Sequence, residues 1–150
     1  MAAFAAITPI AISDMNTFTG VGTSATRGTV LATNGATSAT FGAYFTMGGK
    51  DEQYLILVEN GDSDGATDLT VTVKAGNGIQ GVADVVKTDL GNGEFTLIQL
   101  DSGRFKNVTE NETLKELSSA TTADQVSAKG KVFITGTSAE IAVTVFKMVI

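Results

Sequence analysis

The stretch Asp68-Leu69-Thr70-Val71-Thr72-Val73-Lys74 decides the fold. Apolar and hydroxyl side chains alternate in it without a break. In an extended chain successive side chains point to opposite faces, so Leu69, Val71 and Val73 share one face and Thr70 and Thr72 the other. A strand of this kind has one face in a core and one in water. Upstream, Gln53-Tyr54-Leu55-Ile56-Leu57-Val58-Glu59 is a short apolar run closed by the turn formers Asn60-Gly61-Asp62-Ser63-Asp64-Gly65. It predicts a strand buried on both faces.

Working outward, strand signals begin at Thr40 and recur at Ala83 to Thr88, Glu94 to Leu100, Lys131 to Thr135 and Ile141 to Val149, most of them bounded by Gly, Asn or Asp. In the last, Ile141, Val143 and Val145 share one face and Ala142, Thr144, Phe146 and Met148 the other, which predicts a central strand between two layers. Only Glu110 to Ala120 has helical character, with Leu114 and Leu117 three apart. Strands separated by turns, without alternating long helices, predict an all-β protein: an antiparallel two-layer β-sandwich, jelly-roll or immunoglobulin-like, or a partly closed barrel, with one short helix.

At 150 residues the chain fits one domain. Its first part differs from the rest. Ser13 to Ala39 is dominated by Thr, Gly, Ala and Ser, with apolar residues too scattered for either periodicity. The expected organisation is therefore an extended N-terminal arm over 1–37 and a sandwich over 38–150. Within the arm Phe4, Ile7, Ile10 and Ile12 call for burial, which a partner surface could supply.

Composition narrows the chemistry. The chain has no cysteine, which removes disulfides, thiolate metal sites and cysteine nucleophiles, and no histidine, the commonest general base and metal ligand. A net charge of −6 without a Lys/Arg cluster argues against a nucleic-acid partner. The apolar N-terminus has no Lys or Arg before Arg27, so it lacks the charged region of a signal peptide, and no stretch has the ~20 apolar residues of a membrane span. These features predict a non-enzymatic protein made in the cytoplasm, with no cofactor and no membrane or nucleic-acid partner.

Several motifs invite a sharper reading. Gly76-Asn77-Gly78-Ile79-Gln80-Gly81 matches the dinucleotide fingerprint, but the residues after it read as a strand, where the pyrophosphate would need a helix N-terminus. Asn60, Asp62, Asp64 and Gly65 imitate the start of a calcium loop, yet its twelfth position is Val71 and its flanks are strands. Both read as turns. Asp101-Ser102-Gly103-Arg104-Phe105-Lys106 is the most distinctive charged cluster. It either presents Arg104 and Phe105 to a partner, or tucks Phe105 into the sandwich edge while Arg104 pairs with a carboxylate. The sequons at Asn107 and Asn111 carry little weight without a secretory signal.

Four of these stretches together, Tyr54 to Asn60, Ala75 to Gly81, Leu100 to Lys106 and Gly130 to Gly136, resemble small virion proteins of tailed bacteriophages, and over residues 40–150 the pattern is similar to head decoration, or cement, proteins. The resemblance implies a β-rich subunit that binds the outer surface of the assembled head and stabilises it. It further implies the major capsid protein lattice as partner, a homo-oligomer, often a trimer, and no catalytic residues. Phe4, Ile7, Ile10, Ile12, Arg104 and Phe105 are then the expected contact residues. Deleting residues 1–20 is expected to abolish binding and leave the domain folded. The alternative expectation is a carbohydrate- or surface-binding β module of a tail or fibre, against which stand the lack of Trp and the placement of Tyr44 and Tyr54 in apolar runs.

Overall fold

The computed structural model describes residues 2–12, 28–48, 53–61, 68–78, 83–100 and 104–148. The strands are β1 (Ala5–Ala6), β2 (Ile10–Ile12), β3 (Thr29–Val30), β4 (Ala32–Thr33), β5 (Phe41–Thr46), β6 (Tyr54–Asn60), β7 (Leu69–Val73), β8 (Val85–Leu90), β9 (Phe95–Gln99), β10 (Lys131–Gly136) and β11 (Ile141–Met148), with helix α1 (Glu112–Ser118) between β9 and β10. They form two sheets. One runs β1-β5-β10-β7-β8, with β4 also on β5; the other runs β2-β11-β6-β9, with β3 also on β11.

The core follows from strand alternation. Leu69, Val71 and Val73 of β7 point inward, as do Tyr54, Ile56 and Val58 of β6 and Ile141, Val143 and Val145 of β11. Tyr54 is the largest fully buried side chain; its ring packs on Phe45 and its hydroxyl donates to the Gly48 carbonyl at 2.8 Å, so the one polar atom of the ring is satisfied. A second, smaller cluster lies outside the first sheet, where Leu114 of α1 packs with Phe4, Ala128 and Phe133. Seven residues are too few for a helix to stand alone in water. This packing and the N-cap, where Asn111 Oδ1 accepts from Leu114 N–H at 3.3 Å, hold α1 in place.

The protein is mostly β, two mixed sheets arranged like a sandwich with one short helix, and no closed barrel forms. Two expectations change here. The sheets are not purely antiparallel, because β1 pairs parallel to β5 and β2 parallel to β11. The described residues of the expected arm are built into both sheets. The chain passes from β1 in the first sheet to β2 in the second, and returns from β3 in the second to β4 in the first. The burial demanded by Phe4 and Ile7 is thus met inside the molecule, where they are 4% and 6% exposed. Residues 13–27, also within that arm, lie outside the described residues.

Smaller differences have local causes. The strand expected over 83–88 begins and ends two residues later, because Leu90 turns inward opposite Leu69 after Asp89 takes a left-handed conformation at φ 54°. β6 is not buried on both faces: its outward Leu55, Leu57 and Glu59 are half-buried. β11 is buried on both faces from Ile141 to Phe146 and lies inside its sheet between β2 and β6, as its sequence predicts.

Candidate functional site

The sheet-crossing strands bridge one side of the sandwich. Among the described residues the opposite side ends in β8 of one sheet and β9 of the other, consecutive strands that do not pair with each other. The corner between them is held by Asn60, which is fully buried. Its N–H donates to the Glu94 carbonyl and its Nδ2 to the Leu90 carbonyl, both at 2.9 Å, while its carbonyl accepts from Gly93 N–H at 3.1 Å. Gly93 sits at φ 73°, a conformation that strains any residue with a Cβ, and Glu94 folds back to accept from Gly91 N–H at 2.8 Å.

Apolar side chains gather on this open side. Phe95 is 66% exposed, Leu97 56%, Val86 52% and Val85 37%, so β8 and β9 carry most of the large exposed apolar residues among those described. Phe95 and Leu97 stand on the outward face of β9 opposite Glu59 and Leu57 of β6. Beside them Lys87, Leu90, Glu94, Phe95 and Thr96 line an open groove of about 500 Å³. Phe95 and Leu97, two apart on β9, share the outer face of the second sheet, whereas Val86, opposite Thr72, lies on the outer face of the first.

The residues expected to contact a partner lie elsewhere. Phe4, Ile7 and Phe105 are buried in the fold; Ile10 and Ile12 are half-buried on β2, at the bridged side. Arg104 is half-buried, its carbonyl accepts from Gly76 N–H at 2.9 Å, and it makes no ion pair with a described carboxylate. The structure therefore does not bring these six together. The sequence signal for β9 was present: Phe95 and Leu97 on one face and Ile98 and Leu100 on the other make a strand apolar on both sides, one face more than a single sheet needs.

The described residues of the remaining motifs make contacts within the fold. Asn77, inside the glycine-rich stretch, donates from Nδ2 to the Thr109 carbonyl at 3.2 Å and accepts at Oδ1 from Val108 N–H at 2.9 Å; the next described element is β8 and not a helix. Asn60 is committed to the β8–β9 corner, and Asp62 and Asp64 lie outside the described residues. Among the described residues no cluster of three metal-ligating side chains occurs. Asn107 is fully buried, with Nδ2 donating to the Lys131 carbonyl at 3.0 Å, so its side chain serves the fold.

Two carboxylates are held below their ordinary range. The Ser127 hydroxyl, Ala128 N–H and Asn111 N–H all donate to Glu110 and favour its charged form. Burial opposes ionisation of Asp84, but Ala75 N–H at 2.7 Å and the Lys74 ammonium at 2.8 Å together outweigh it. Both act as loop staples. Neither faces the groove between β8 and β9.

These features define a class, a β-sandwich-like protein with one bridged side and one apolar open edge. Comparison with known protein families, with curated proteins and with solved structures gives no match.

Proposed function

We propose that the chain is a non-enzymatic structural protein that binds the outer surface of an assembled phage head and stabilises it, as the likeness to head decoration proteins suggests. The observation that carries this reading is the exposed apolar pair Phe95 and Leu97 on β9, next to the corner held by Asn60. The finer jelly-roll or immunoglobulin-like description belongs to the same reading. The mechanism is linkage: a subunit that binds the expanded shell more tightly than its precursor stabilises that state by the difference in affinity. Contact through the β8–β9 edge replaces contact through the arm, since Phe4 and Ile7 are already used in the core.

The test is co-sedimentation of the purified protein with phage heads, before and after expansion. The double change Phe95→Ser with Leu97→Ser is expected to weaken binding to expanded heads by at least about tenfold, in the range of a hot-spot loss. Its melting temperature should stay close to that of the parent, because both side chains are exposed. Undiminished binding by this variant overturns the role of the edge. Failure of the parent protein to bind any head, with competable hits on a glycan array, replaces the reading with the carbohydrate-binding one.

A further inference from the structure

The two strands at the open side are unlike in how they guard their free edges. β8 carries Lys87 and Asp89, has a positive φ at Asp89, and slips register against β7 between Leu69 and Val71. Charges and bulges are the usual means of preventing edge-to-edge association. β9, Phe95-Thr96-Leu97-Ile98-Gln99, has none of them: no charge, no proline, and an unbroken register with β6. It is a flat uncharged edge with an apolar outer face.

We infer that β9 pairs antiparallel with β9 of a second copy of this chain, about a two-fold axis through Leu97. Charge favours a copy here over the rest of the surface. Two chains of net charge −6 repel, and an uncharged strip is where they meet at least cost. The register is self-complementary. With Leu97 against Leu97 of the second copy, Phe95 faces its Gln99 and Thr96 its Ile98, so no like charges stand opposite each other. Glu94, the nearest acid before the strand, faces Leu100 of the copy, and its carboxylate is turned back to Gly91.

The pairing joins two five-stranded sheets edge to edge. Because the axis is perpendicular to the sheet, both copies turn their outward β9 side chains to the same side, and Phe95 and Leu97 of each form one apolar strip. Two five-residue strands and these side chains bury less than the ~800 Å² per partner of a standard stable interface, so the dimer is weak, with a dissociation constant in the micromolar range or above. The inference rests on the fold alone and is independent of whether the protein binds phage heads.

Sedimentation equilibrium of the full chain between about 1 and 500 μM is expected to show a monomer–dimer equilibrium in that range. Leu97→Lys should weaken it at least about tenfold by placing two ammonium groups face to face, and Val86→Lys, on the guarded edge, should leave it unchanged. The chain has no cysteine, so Leu97→Cys adds a single thiol on the two-fold axis. This variant is expected to form a disulfide-linked dimer on mild oxidation much faster than Val86→Cys, a readout that does not depend on how Leu97→Lys folds. A monomer at every concentration, a trimer, a dimer indifferent to Leu97→Lys, or equal cross-linking of the two thiol variants overturns the inference.

Discussion

Gly42 and Phe4 depend on each other. A Cβ built on Gly42 would lie 2.5 Å from the Phe4 ring, so β5 leaves out a side chain where the aromatic ring lies across it. Gly42→Ala is expected to lower stability by about 1–3 kcal/mol through overpacking, read as a shift of the urea midpoint. Nothing around Gly42 in the sequence announces this, because the ring comes from a segment far away in the chain. Glu110 is the other residue with a measurable consequence. Its carboxyl is depressed in the folded state, so its contribution is present above the ordinary glutamate range and is lost as pH falls through the folded value. Melting temperatures between about pH 5 and pH 3 should therefore fall less steeply for Glu110→Gln than for the parent protein.

Among the elements, those with strict alternation were legible: β7 lies where Leu69, Val71 and Val73 place it, and β6, β10 and β11 differ from expectation by a residue or so at their ends. β1 to β4 were not legible. Each has two or three residues, too few for a period, and their parallel or sheet-crossing partners are set by the rest of the fold. The need of Phe4 and Ile7 for burial could be read, but not that the chain's own sheets meet it. Deleting residues 1–12 is for this reason expected to cost about 5 kcal/mol or more, given ~3–5 kcal/mol for one buried Phe alone, and to unfold much of the population; circular dichroism reads it directly. The β8–β9 corner is a second test at this scale. Asn60→Ala removes a buried donor from the Leu90 carbonyl, with an expected loss of about 1–3 kcal/mol by chemical denaturation.

At the scale of the molecule, one side is laced by strands that change sheets and the other is left open with apolar residues on it. The lacing has a consequence for how the protein is made. β2 is synthesised early, and its partner β11 comes near the end of this sequence; β1 waits for β5, and β5 for β10. A ribosome releases residues in order, so the first strands emerge long before the surface that receives them. Closing loops of that length before any contact rewards them is slow, and refolding from urea is expected on the millisecond-to-second scale of high-contact-order β proteins. Until β10 and β11 arrive, Phe4 lacks the Phe133 ring it packs with and Ile10 the strand it pairs with. In the cell this interval, rather than the finished fold, is when the chain is most in need of a chaperone.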